Sequence, residues 1–339
     1  MKKAVLTTIQ VLVTVGILLW VFHDPTQREQ MWYALKRSNP GWLMAGIGCY
    51  GLVELLAAFR WFLLLRVHGV RISPLRVGAL FMLGIFFNMF MPGGTGGDVL
   101  KVYFLFKEIP AHKEKGLLAV LMDRVIGLLA LILVSSAIIG FQYNWLKTSP
   151  ASLHWTWVLL AILVSSLGSI VFSFIISGFG LAHRLPPRLP MRDKLIDVSK
   201  AYNAYAREWP ASLFALFLSF GVHMSGFFLY VCAARALNLN LTTGAVLTVM
   251  PIIITIASLP ISVGGAGVRE AMFVAMLGPL CHLAQADAKI LSITGWGLTA
   301  VWGLVGGAIY LLYRPSQHAK LREVEREVHE VEHEIAETD

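Results

Sequence analysis

Seven ionisable residues lie within or against apolar runs of this 339-residue chain: Glu54, Asp98, Asp123, Arg124, His223, Arg269 and Glu270. Each costs about 2.5–3.5 kcal/mol at the centre of a membrane helix, so each needs a partner or a task. Three of them stand beside glycine clusters. Asp98 follows Gly93-Gly94-Thr95-Gly96-Gly97, and Arg269-Glu270 follows Gly264-Gly265-Ala266-Gly267-Val268. Glycine lets backbone N–H groups approach a ligand, or adopt positive φ, with no Cβ in the way. A helix restarting after such a turn offers unpaired N–H groups and a positive dipole end, which suits a phosphate. Arg124 and Arg269 can add bidentate contacts to the same anion. Asp98 and Glu270 would then fix those arginines, or bind a proton or a cation. The alternative is that Asp98, Arg124, Arg269 and Glu270 only neutralise one another and hold the glycine segments in place. Glu54, Asp123 and His223 are candidates for proton or ion coupling. Glu54 can equally pair with Arg60, and His223 can equally be a hydrogen-bonded core histidine.

The composition says what kind of element must position these groups. Hydrophobic residues make up 57% of the chain and charged residues only 14%, with a mean hydropathy of +0.68. A soluble globular chain has roughly 45–50% and about 25%, so the chain is expected to be an all-α polytopic membrane protein. The polar stretches Gly180–Trp209 and Arg314–Asp339 are too short to bury a core of their own. Neither an appended catalytic domain nor enzymatic activity is therefore expected. Cys49, Cys232 and Cys281 lie far apart in or beside apolar runs and read as small hydrophobes, not as a disulfide frame or a metal site. The net charge of +8 reads as lysine and arginine held on the cytoplasmic face, and no nucleic-acid partner is expected.

Spans need about 20 apolar residues, and six segments qualify: Ala4–Phe22, Gly41–Phe59, Gly116–Phe141, Trp155–Phe179, Ala211–Cys232 and Ile290–Tyr313. The first follows Lys2 and Lys3 with no small-residue cleavage site, and reads as a retained helix. Pro74–Met91 and Thr243–Pro260 each run into a glycine cluster. If Pro74–Met91 crossed the membrane, Lys101, Lys107, Lys113 and Lys115 would lie outside, against the positive-inside rule. A re-entrant hairpin turning at the glycines keeps them inside. The same test makes Thr243–Cys281 re-entrant from the outside, because only then are Arg314, Lys320, Arg322 and Arg326 cytoplasmic. The expected architecture is six full spans plus two re-entrant helical hairpins, with both termini cytoplasmic.

The two glycine clusters align at an offset of 171 residues, and the helices before and after each cluster align at the same offset. Each half is thus helix, hairpin, helix, and the charge pattern gives the halves opposite orientations. Such an inverted-topology repeat with broken helices is a transporter architecture. The chain divides into an N-terminal helix and outer loop (1–40), a first repeat (41–141), a helix with a basic cytoplasmic loop (142–210), a second repeat (211–313) and a charged tail (314–339).

Pro92-Gly93-Gly94-Thr95-Gly96-Gly97-Asp98, Asp123-Arg124 with Gly127, and Gly264-Gly265-Ala266-Gly267-Val268-Arg269-Glu270 resemble the lysylphosphatidylglycerol synthase transmembrane, or flippase-like, family. That family includes the membrane domain of the multiple peptide resistance factor. The resemblance spans nearly the whole chain. It implies a lipid-translocating domain of the bacterial cytoplasmic membrane, with Asp98, Arg124, Arg269 and Glu270 as the functional set. One position departs: Lys101 stands where the family often has arginine, which replaces a planar fork by a point charge at the headgroup site.

His329-Glu330-Val331-Glu332-His333 matches the HExxH pattern, but a charged tail offers neither a third ligand nor a cleft, so no metal is expected there. Leu321, Val324, Val328, Val331 and Ile335 form a seam too short to argue firmly for a coiled coil, though it is one route, with the membrane helices, to a homo-oligomer. Leu195, Val198, Tyr202, Tyr205 and Trp209 suit a helix lying on the membrane surface. The expected function is alternating-access transport of a polar, phosphate-bearing membrane lipid, with no cofactor. The alternatives are transport of a small anionic solute, or a membrane subunit that docks a lipid-modifying enzyme.

Overall fold

The computed structural model describes residues 25–90, 96–178, 205–259, 262 and 265–312. The expected first span, Ala4–Phe22, residues 179–204 of the basic loop, the tail seam and its HExxH motif lie outside these residues, as do Gly93, Gly94 and Gly264. The described residues form ten α-helices and no strand: α1 (Pro25–Lys36), α2 (Pro40–Val67), α3 (Pro74–Phe90), α4 (Gly96–Glu108), α5 (Lys113–Leu146), α6 (Pro150–Gly178), α7 (Trp209–Ala236), α8 (Thr243–Ala257), α9 (Val268–Cys281) and α10 (Gln285–Leu312). Five of them, α2, α5, α6, α7 and α10, are long and apolar enough to cross a membrane. They coincide with the five expected spans that fall in the described residues.

Local chemistry sets the ends of these helices. Asn39 caps α2, its side chain accepting from Gly41 N (2.9 Å) and Trp42 N (3.4 Å), and Pro40 occupies the first turn, where no N–H is needed. Asn238, in the left-handed region at φ 54°, ends α7, and Leu239 N closes the turn on Ala234 O at 3.0 Å. Thr242 then caps α8. Between these ends, large apolar side chains such as Leu55, Phe172, Phe217 and Leu304 stay more than half exposed. In a chain whose solvent is lipid, that outward face has no reason to be covered.

The order long helix, two short helices, long helix occurs twice: α2, α3–α4, α5 and α7, α8–α9, α10. Helix contacts come in matched pairs. α3 packs on α4 as α8 packs on α9, α3 packs on α10 as α8 packs on α5, and α4 packs on α5 as α9 packs on α10. Buried apolar side chains separate into two clusters along the same division. One joins Trp61, Leu80, Leu83, Leu105 and Met122 of the first half. The other joins Phe227, Ile253, Phe273 and Leu291 of the second half to α5 and α6.

The two halves meet along α2 and α7, which run antiparallel. Asn39 N donates to Ala236 O at 2.8 Å, Cys49 Sγ lies 4.0 Å from Cys232 Sγ, and Arg60 Nη1 donates to Ser219 Oγ at 2.8 Å. The cysteines are free, so the reading as small hydrophobes holds. Two of the three nevertheless touch across this interface, which their separation in sequence concealed.

Candidate functional site

α4 begins in the first glycine cluster, which places Asp98 in its first turn, where a carboxylate complements the dipole. Gly97 is buried against α3. A Cβ there would run into the Gly84 carbonyl and the side chain of Asn88, so only glycine lets α4 approach α3 so closely. Asn88 Oδ1 accepts from Gly97 N at 3.0 Å. At the second cluster, Gly265 and Gly267 take positive φ of 73° and 81°, and Glu270 Oε2 folds back to accept from Gly267 N at 2.6 Å. Two glycine N–H groups that the sequence offered to an anion are thus occupied by the chain's own side chains.

Around the first tip, Asp98 accepts from Arg124 Nη2 and lies 3.9 Å from Lys101 Nζ. Arg124 keeps 60% of its side chain exposed although it sits on a spanning helix. Lys101 is buried, its ammonium 4.5 Å over the ring of Trp61 and 4.8 Å over that of Phe81, so the family departure at this position is filled by a cation held between aromatic faces. Asp123, one residue before Arg124, points about 100° away around the helix. It is buried and accepts from Arg60 Nε at 2.8 Å, while Arg60 Nη1 reaches Ser219. This links α2, α5 and α7.

At the second tip, Glu270 Oε1 accepts from Arg269 Nη2 at 3.0 Å and from Ser292 Oγ at 2.7 Å, and Arg269 Nε donates to Ser292 Oγ at 3.0 Å. Arg269 is 13% exposed on its side chain, far less than Arg124. Asp98 and Arg269 lie 171 residues apart, the offset at which the two glycine clusters align, and carry opposite charge. No hydrogen bond or ion pair joins the two tips among the described residues.

The remaining candidates have defined places. Glu54 is buried on α2, 6% exposed, one turn after Tyr50. Its expected alternative partner, Arg60, is taken by Asp123 and Ser219. His223, half-buried, places Nε2 3.0 Å from Gly127 O. At the C-terminal end of α2, Tyr205 donates to Leu64 O at 3.0 Å and packs edge-on against His68, the residue after the helix. Burial holds the Tyr205 phenol far above its ordinary range, with the Asp123 charge adding to it. Burial, and then the Lys115 charge, lowers the His68 imidazole. No group of three or more His, Cys, Asp or Glu side chains suited to a metal occurs among the described residues.

Arg60, Ser219, Ser292 and Asn88 were not candidates from sequence. Arg60 was legible: Glu54, Ala57, Trp61 and Leu64 are buried at helical spacing, and Arg60 lies on the edge of that face. The serines and the asparagine carry no local signal.

Residues 7–307 match the family described as the lysylphosphatidylglycerol synthase TM region. A 134-residue segment is 28% identical to the UPF0104 membrane protein PH1989 of Pyrococcus horikoshii, covering 39% of this chain and 38% of that protein. The matched part is therefore well under half of that relative's length.

Proposed function

We propose, since the chain belongs to the lysylphosphatidylglycerol synthase TM region family, that it moves a phosphate-bearing polar lipid across the membrane by alternating access. The observation that carries this reading is Arg124. A guanidinium on a spanning helix, oriented by Asp98 yet 60% exposed, is a cation presented and not consumed. A phosphate between it and Arg269 would meet two planar donor forks, while the acyl tails stay in lipid.

The architecture supports the same reading. α2 and α7 are repeat equivalents that pack antiparallel, with Gly226 facing Val53 and Gly221 facing Leu56. Antiparallel equivalents imply a two-fold axis perpendicular to the helices, hence in the membrane plane, as in transporters built from inverted repeats. The short pairs α3–α4 and α8–α9 then serve as re-entrant hairpins from opposite faces, and the halves rock about the α2–α7 contact.

Two measurements test the proposal. Single cysteines at Arg71 and Lys113, which bracket α3–α4, should react with an impermeant reagent from the cytoplasm only. Cysteines at Asn240 and Gln285, which bracket α8–α9, should react only from outside. Opposite sidedness within either bracket removes that hairpin and the inverted repeat. In proteoliposomes, a headgroup-labelled anionic phospholipid should become accessible to an impermeant quencher beyond its outer-leaflet share. Accessibility unchanged from protein-free vesicles, for anionic and zwitterionic lipids alike, rejects lipid transport.

A further inference from the structure

At the end of the α2–α7 pair remote from Arg60, a cavity of about 800 Å³ opens between the first turn of α2, the last turns of α7 and the 238–243 connection. Its walls include Trp42, Phe228, Val231, Arg235, Asn238 and Asn240, and none of its lining residues is acidic. Arg235 sits in the last turn of α7, exposed. No hydrogen bond or ion pair ties its guanidinium among the described residues, in contrast to Arg60, Arg124 and Arg269. Phe228 and Trp42 are 42% and 45% exposed, so the apolar wall is itself open to the surroundings.

The lining changes character along the helix axis. From Phe228 to Arg235 the rise is about 10 Å. Over that distance the wall passes from aromatic and aliphatic to a cation flanked by two carboxamides. A membrane lipid presents the same sequence, from acyl chain to charged headgroup. A free anion would use only the rim and leave the apolar lower wall without a function.

We propose that this cavity is an anionic-phospholipid site at the membrane boundary, separate from the hairpin tips. Arg235 takes the phosphate, the amides of Asn238 and Asn240 hydrogen-bond the headgroup, and the upper acyl segments lie on Trp42, Val231 and Phe228. The site does not depend on the transport reading, because its polar ligands lie at the end of α7 and in the connection that follows it, away from both glycine clusters. A lipid held there bridges the two halves at the seam about which they would move.

Native mass spectrometry of the purified full chain, with phosphatidylglycerol, phosphatidylcholine or glycerol phosphate added, tests this. Phosphatidylglycerol should be retained in preference to phosphatidylcholine. Arg235→Gln should weaken that retention about tenfold, as expected for losing a charge-assisted hydrogen bond. Arg37→Gln removes an exposed cation from the same end of the molecule but not from the cavity, and should leave retention unchanged. Equal retention of both lipids, or equal loss in both variants, overturns the proposal. So does displacement of the lipid by glycerol phosphate, which would assign the cavity to a free anion. Unchanged thermal unfolding of Arg235→Gln ties its loss of lipid to the site, and an unfolded variant is replaced by Arg235→Lys, which should retain the preference for the anionic lipid.

Discussion

Arg124→Lys is expected to fold and insert normally and yet flip labelled lipid at least about tenfold more slowly, and Arg269→Lys should do the same. Lysine keeps the charge but loses the planar fork. One charge-assisted hydrogen bond of about 1.5–3 kcal/mol, removed from the transport-competent complex, corresponds to a factor of ten or more. Arg124 is the cleaner test, because its side chain is 60% exposed and, among the described residues, Asp98 is its one hydrogen-bonded partner. Arg269 is bound to both Glu270 and Ser292, so its variant needs thermal unfolding measured alongside. The decisive comparison uses the neutral pairs Asp98→Asn with Arg124→Gln, and Glu270→Gln with Arg269→Gln. Removing both partners of an ion pair leaves no orphaned charge. Were both neutral pairs to flip lipid at the wild-type rate, the tips would be scaffolding and the site would lie elsewhere.

The second large effect concerns stability. Arg60 and Asp123 are 9% and 3% exposed on their side chains and 2.8 Å apart. Arg60→Leu or Asp123→Leu alone strands a buried charge, and each should destabilise the fold by about 3–5 kcal/mol. The double variant Arg60→Leu with Asp123→Leu should recover most of that loss. Ser219, which loses the arginine, still donates to Ala215 O at 2.8 Å. Thermal unfolding in detergent reads the effect, and a double variant no more stable than the singles would mean that the pair does more than neutralise itself. Flipping by the recovered double variant then separates two roles for Asp123. Retained transport marks it as structural, and loss of transport in a stable protein marks it as part of the coupling path.

Much of the architecture was legible because its signals are local. A run of apolar residues long enough to cross hydrocarbon is a property of one segment. So is the glycine at which α4 begins, and five of the six expected spans fall on observed helices, the sixth lying outside the described residues. The order long helix, two short helices, long helix, which occurs twice among the described residues, falls where the 171-residue offset expected it. The site was legible in part. Asp98 with Arg124 and Arg269 with Glu270 were candidates because charge within apolar runs is costly wherever it occurs, and the structure pairs them in that way.

What the sequence by itself determined was therefore which segments meet lipid and which residues cannot be left alone there. Only the tertiary structure decided who satisfies whom. Asp123 and Arg124 are neighbours in the chain, but the turn of the helix sends one to Arg60 on α2 and the other to Asp98 on α4. The glycine N–H groups that looked free for an anion are bound by Asn88 and Glu270. Cys49 and Cys232 meet, and Arg60 reaches Ser219, because α2 and α7 lie antiparallel at one particular register. Hydropathy is summed along a segment and survives any arrangement of its neighbours. A hydrogen bond depends on distances of a few tenths of an ångström, which exist only after the helices have packed.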